Sequence, residues 1–280
     1  MKSQKMPMRL QKHINRNKKL RPIHHISEIE PPIYPYRDLH LDYSNISHYH
    51  SFKNVLIYGV YFICCIGRYH SIVEEQMETI MQSGLLDKTN TLFCFICQFK
   101  EDIMEILRPY QSKLTIVSTT ENLYERFALT NILSYITTSL PFYIYYFHSK
   151  GVTREGEIFH TTRRNLDFFI LKKYDACVFW LDHGYDAVGA SLSLYPSLHF
   201  SGNFWWVTSD HLKRLPNEIR KTYYASEMYV CSIPDKKYIS VCQSTNEKKT
   251  QEYEMLTLED ILKQSTVTPL NNLICKRMHF

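Results

Sequence analysis

From residue 55 onward the chain alternates continuous apolar runs with stretches whose apolar positions are spaced. Residues 55–62, 91–98, 113–117 and 141–147 are runs of strand length, rich in Val, Ile, Phe and Tyr. Residues 71–81, 101–110 and 123–136 instead carry their apolar side chains three and four apart. The first pattern predicts buried strands and the second predicts helices with one face inward. Ser83-Gly84 supplies the stop signal expected after the first helix. Strand and helix alternating in this way predict an α/β fold, a mostly parallel sheet with helices on both faces. In such sheets ligands bind beyond the carboxyl ends of the strands.

Past residue 147 the pattern is less regular. A helix is expected over 165–178, opened by Arg163 and Arg164, a short strand over 185–189, and a short helix over 210–216 ended by Pro216. The remaining segments divide into a basic arm (1–22), a His-, Pro- and Tyr-rich lead-in (23–53), the α/β domain (54–247) and a C-terminal extension (248–280) with one helix expected over 258–264.

Charge changes this picture in one respect. The formal net charge is +5, but residues 1–22 hold eight basic side chains and no acidic one, which leaves 25 basic against 28 acidic residues in the remainder. The arm could bind nucleic acid, an anionic membrane surface or a targeting receptor, or be a solvated end. Nucleic acid ranks last as a partner because the remainder is net acidic. No run has the length of a membrane span and the N-terminus lacks the apolar core of a secretory signal, so a cytoplasmic protein is expected. Cys94 and Cys97 have CxxC spacing, but no second pair completes a zinc set, and buried thiols are expected for the eight cysteines.

Three stretches carry candidate chemistry. At the expected end of the fourth strand stands His148-Ser149-Lys150-Gly151, where Lys150 could meet a phosphate and Gly151 could allow close approach; the alternative is a solvated turn. His199-Phe200-Ser201-Gly202-Asn203-Phe204-Trp205-Trp206 packs two of the three tryptophans beside a Ser-Gly-Asn turn. Such aromatics either stack on sugar rings or fill a core, and neighbours in a strand face opposite ways, so one tryptophan is expected in the core and the other in a pocket. Glu227 stands just before an apolar segment and Asp186 beside a turn; each is a candidate carboxylate, or else a helix-start acid and a turn cap.

In order along the chain, the Leu123-Tyr124-Glu125, His148-Ser149-Lys150-Gly151, Tyr185-Asp186-Ala187-Val188-Gly189, His199 to Trp206 and Ser226-Glu227 strings resemble a family of predicted glycosyltransferases of bacteria and large DNA viruses, more distantly similar to rhamnan-synthesis proteins. The resemblance covers roughly residues 54–235. It implies a Rossmann-like, A-type glycosyltransferase fold, a nucleotide-diphosphate sugar as donor, and a glycan or glycoprotein as acceptor. His148, Lys150, Gly151 and Arg163 would hold the donor phosphates. His199, Ser201, Gly202, Asn203, Trp205 and Trp206 would frame the sugar or acceptor, and Glu227, with Asp186 as the weaker choice, would act as base. One departure stands out: the chain has no Asp-x-Asp, the motif whose carboxylates hold a divalent cation in such enzymes. Transfer without a metal, or with weakly held Mn or Mg, is therefore expected. The alternative is a catalytically silent domain that binds a nucleotide sugar or glycan.

Overall fold

The computed structural model describes residues 55–194, 197–222, 224–244 and 253–255. The basic arm, the lead-in and the helix expected over 258–264 lie outside them. In chain order the elements are β1 (Leu56–Cys64), α1 (Tyr69–Gln82), α2 (Leu85–Lys88), β2 (Thr91–Cys97), α3 (Ile103–Leu107), β3 (Leu114–Ser118), α4 (Arg126–Tyr135), β4 (Phe142–His148), α5 (Glu157–Asp167), α6 (Tyr174–Asp182), β5 (Ala187–Ala190), β6 (Leu192–Ser193), β7 (His199–Phe200), β8 (Trp205–Thr208), α7 (Ser209–Leu212), α8 (Ala225–Met228), β9 (Tyr238–Ser244) and β10 (Tyr253–Met255).

Eight strands form one sheet in the order β10-β9-β5-β8-β4-β1-β2-β3, and β6 pairs with β7 in a separate ribbon. β1, β2, β3 and β4 pair in parallel, β8 is antiparallel to both β4 and β5, and β9 is parallel to β5. Only β8 and β10 therefore run against the rest, and the α/β, Rossmann-like, mostly parallel expectation is met. The central strands are apolar throughout because both of their faces are covered; β1 is buried over nearly its whole length. α1 supplies part of that cover, burying Tyr69, Ile72, Val73, Gln76, Met77 and Ile80 on one stripe.

Several boundaries move for physical reasons. The second expected helix stops at Leu107, where Pro109 tightens the chain into a 3-10 segment, Arg108–Lys113. The third starts only at Arg126, because Tyr124 has φ 55 and cannot belong to a helix. The helix expected over 165–178 is two helices, α5 and α6, joined through a π-helical segment at Phe168–Lys172. Arg163 thus lies in the second half of α5 instead of at a helix start, and it is 1% exposed. β9 and β10 were not anticipated, and β10 falls inside the stretch assigned to a C-terminal extension.

The loops after β1 and β4 are welded together at the carboxyl edge. Arg68 N–H donates to the Val152 carbonyl at 3.0 Å, and the Ser149 N–H donates to the Phe62 carbonyl at 3.0 Å. Gly67 allows this approach: it has φ 54, and a Cβ there would overlap the Val152 backbone oxygen. Gly67→Ala is expected to cost about 2–4 kcal/mol, from the left-handed backbone plus overpacking. Chemical unfolding of the variant measures this, and an unchanged midpoint would contradict the weld.

Candidate active site at the carboxyl edge of the sheet

β4 ends at His148, and a tight turn follows in which the Lys150 N–H donates back to the His148 carbonyl at 2.7 Å. Ser149 Oγ accepts the Cys64 N–H at 3.0 Å, which fixes the turn to the end of β1. Gly151 has φ 86, and a Cβ on it would meet only Phe159 at 3.8 Å, so its service is to the backbone turn and not to a crowded approach. Lys150 is half-buried at this edge.

His148 is held from three sides. One ring nitrogen, Nε2, lies 3.0 Å from the Gly202 carbonyl, and because a carbonyl can only accept, Nε2 carries the proton. The other, Nδ1, faces Glu125 Oε1 at 3.8 Å. Burial lowers the pKa of His148, against the raising influence of Glu125, so the ring is neutral. From behind, Gln76 Nε2 donates to the His148 carbonyl at 3.2 Å and to Asp167 Oδ1 at 2.7 Å, while its Oε1 accepts from Tyr61 OH at 2.7 Å. A neutral, enclosed imidazole does not supply positive charge to a phosphate, and this corrects the direct role expected for His148.

The Ser201-Gly202-Asn203 turn joins β7 to β8 beside that ring. Gly202 has φ 91, and a Cβ there would press on Leu166 Cδ1 at 2.6 Å. Its N–H donates to Glu227 Oε1 at 2.7 Å, which brings α8 onto the turn. Among the described residues nothing donates to the other Glu227 oxygen. Asn203 donates through Nδ2 to Glu125 Oε2, which also accepts from Tyr146 OH at 3.2 Å. His199 is fixed by its Nδ1 against the Ser197 carbonyl at 2.8 Å, and its Nε2 lies 3.4 Å from Ser201 Oγ. Glu125, His148, Gly202, Asn203 and Glu227 therefore form one connected group.

Other expected members are elsewhere. Trp205 and Trp206 do face opposite sides, but both are buried, at 2% and 0% exposure. Trp205 stacks on Tyr146 with centroids 5.0 Å apart and donates Nε1–H to Asn203 Oδ1 at 2.8 Å. Trp206 lies 4.9 Å from Tyr145 and donates to the Ile170 carbonyl at 2.9 Å. Both are core residues, and Trp205 reaches the edge through its bond to Asn203. Arg163 is closed in by Asp167 (3.0 Å) and Glu75 (2.6 Å), so it does not reach a phosphate. Asp186 accepts from Lys236 Nζ at 3.1 Å and from the Lys237 N–H at 2.9 Å. Its carbonyl takes the Thr208 N–H, and Thr208 is in register with Tyr143. His148 is five residue steps along β4 from Tyr143, about 16 Å, so Asp186 belongs to the opposite edge and is not a base for this group. Asp182, bound to Tyr143 OH at 2.6 Å, is there too.

The sequence reading gave no role to Glu125, nor to the cations that the loops bring to the same edge. Arg68 Nη1 lies 2.6 Å from His160 Nε2, and the guanidinium of Arg154 lies 5.1 Å over Phe159. Five non-glycine residues have positive φ, and four of them, Gln98, Tyr124, Ser191 and Asn203, follow or precede strands at this edge. Such backbones cost roughly 1–3 kcal/mol each and gather where a site over-determines the chain. By contrast, a cavity of about 200 Å³ lined by Met104, Leu107, Arg108, Gln111 and Ile116 brings together no carboxylate or histidine. Among the described residues no three His, Cys, Asp or Glu side chains form a group able to hold a metal ion, so a divalent cation finds no ligand set among them. No helix among them is long and apolar enough to cross a membrane.

Residues 65–257 match the model of a family described as Domain of unknown function (DUF8361). No curated protein matches. Similar solved structures include glucosyl-3-phosphoglycerate synthase from Mycobacterium tuberculosis in complex with Mn2+, UDP and phosphoglyceric acid, with 14% identity, 79% of this chain and 78% of that one covered, and a TM-score of 0.45. A cytidylyltransferase from Leptospira borgpetersenii matches with 10% identity, 74% and 83% coverage and a TM-score of 0.44. The 4-diphosphocytidyl-2C-methyl-D-erythritol synthase of Anaerococcus prevotii matches with 12% identity, 80% and 99% coverage and a TM-score of 0.41.

Proposed function

We propose that the chain, which belongs to that DUF8361 family, is a glycosyltransferase moving a sugar from a nucleotide-diphosphate donor to a glycan or protein acceptor. The observation that carries the reading is the connected group at the carboxyl edge: a carboxylate with one uncommitted oxygen, Glu227, beside a turn fixed by Glu125, Asn203 and neutral His148, with Lys150 next to it.

In the inverting form of this reaction the acceptor oxygen bonds to the anomeric carbon as the bond from that carbon to the diphosphate breaks. The acceptor loses a proton and the leaving diphosphate gains negative charge. Glu227 takes the proton on the oxygen that Gly202 does not hold, a general-base role. Lys150 faces the leaving diphosphate, and a cation placed where charge develops lowers the barrier. Glu125 and His148 keep the Gly202 turn, and through it Glu227, in place. Every step runs through these side chains. The resemblance to glycosyltransferases of bacteria and large DNA viruses agrees with this reading.

The test is thermal shift of the full chain against a panel of nucleotide-diphosphate sugars, since a ligand that binds the native state raises its Tm by mass action. At least one donor is expected to raise Tm, and Lys150→Ala is expected to lose most of that rise. A variant that keeps the full shift would remove Lys150 from the donor site.

A further inference from the structure

Gln98 follows β2 directly, and it is costly to the fold twice over. Its φ of 49 is one that glycine adopts far more readily. Its side-chain oxygen Oε1 is buried and has no hydrogen-bond partner among the described residues, which is the unfavourable state for an amide oxygen. A glycine here would remove both costs. Gln98 is tied to the loop after β3, its N–H donating to the Glu121 carbonyl at 3.3 Å. Three residues further along that loop is Tyr124, also left-handed at φ 55 and 62% exposed. The next residue is Glu125 of the connected group. The chain from Glu121 to Tyr124 spans at most about 11 Å, so one short loop ties an exposed aromatic ring to the residue with the unpartnered amide oxygen, on the same edge of the sheet as Lys150.

A nucleobase is the part of a nucleotide that needs both: a flat face to stack on, and an edge with an N–H beside an acceptor. We propose that Gln98 and Tyr124 recognise the base of the nucleotide donor: the Gln98 side chain turns out of its buried, unpartnered position so that Oε1 accepts an N–H from the base edge and Nε2 donates to the neighbouring acceptor, while Tyr124 stacks on the ring. This rests on the reading of the chain as a nucleotide-sugar transferase and adds the residues that choose the nucleotide.

Isothermal titration of the full chain with UDP, GDP, ADP, CDP and inorganic pyrophosphate separates the two. Wild type is expected to bind at least one nucleotide about tenfold or more tightly than pyrophosphate, the preference coming from the base contacts. Gln98→Gly is expected to keep or raise Tm, because glycine suits the left-handed backbone, while that preference falls to within a few-fold. Tyr124→Ala, at an exposed position, is expected to weaken the same nucleotide and leave pyrophosphate unchanged. A Gln98→Gly protein that keeps the wild-type preference overturns the proposal, as does a wild type that binds pyrophosphate and all four nucleotides equally. A wild type that binds none of the five overturns the donor reading itself.

Discussion

Glu227→Gln is expected to lower turnover roughly 10²–10⁴-fold, the range a positioned general base contributes, while leaving the fold and donor binding intact. The asymmetry follows from the two carboxylate oxygens. One accepts the Gly202 N–H at 2.7 Å, and a glutamine carbonyl can take over that bond, so α8 stays seated on the turn. The amide cannot accept a proton from the acceptor hydroxyl. The expected signature is therefore a fall in kcat with Tm and donor-induced stabilisation unchanged. Turnover at the wild-type rate would move the base to Glu125, the other carboxylate of the group. Product anomeric configuration, read by nuclear magnetic resonance, is a companion measurement, because a retained configuration is incompatible with Glu227 as the base of a single displacement.

Arg163→Met is expected to cost about 3–5 kcal/mol, the cost of breaking a buried ion pair and leaving its partner uncompensated. Arg163 is 1% exposed and clamps Asp167 at 3.0 Å and Glu75 at 2.6 Å, with its own Nε unpartnered among the described residues. Burial pushes Asp167 up to about 7 even though Arg163 pulls the other way. A carboxyl raised in this manner holds its proton more tightly folded than unfolded, so it opposes folding above about pH 7, and the opposition fades as pH falls from there toward its unfolded value near 4. Without Arg163 the carboxyl rises further. The deficit of the variant should thus be largest near pH 8 and smaller at pH 5, which urea unfolding at the two pH values measures. A deficit that grows at pH 5 would contradict the assignment. The consequence reaches the site, because Gln76 joins Asp167 to the His148 carbonyl.

The β4-β1-β2-β3 half of the sheet was readable. Continuous apolar runs gave β1, β2, β3 and β4 within a residue or two because strands covered on both faces leave no polar alternation to mislead. The carboxyl-edge rule then pointed to His148-Ser149-Lys150-Gly151, and the structure brings this string next to the Gly202 turn and Glu227, two stretches some 50 and 80 residues away in the chain. What the pattern could not carry was direction and enclosure. Asp186, the weaker choice beside Glu227, stands immediately before β5, and because β5 runs in the same direction as β4 this sets Asp186 at the far edge. Arg163 was expected at a helix start, but α5 begins at Glu157 and sets Arg163 on the same buried face as Leu166 and Asp167, three and four residues on. Trp205 and Trp206 were both core because their indole N–H groups found Asn203 and Ile170, partners that spacing does not show. Glu125 had one faint signal, a helix without a good capping residue preceded by a tyrosine in the left-handed region, and only the second half of that is visible in three dimensions.

The account turns on transfer chemistry at one edge, and phosphorus nuclear magnetic resonance of the full chain incubated with a panel of nucleotide-diphosphate sugars tests it most directly. Release of the free nucleoside diphosphate from at least one donor, slowed in Lys150→Ala and in Glu227→Gln, is the predicted result. A donor that binds yet stays intact under every condition, with and without added manganese, would contradict it and leave a nucleotide-sugar-binding domain without catalysis.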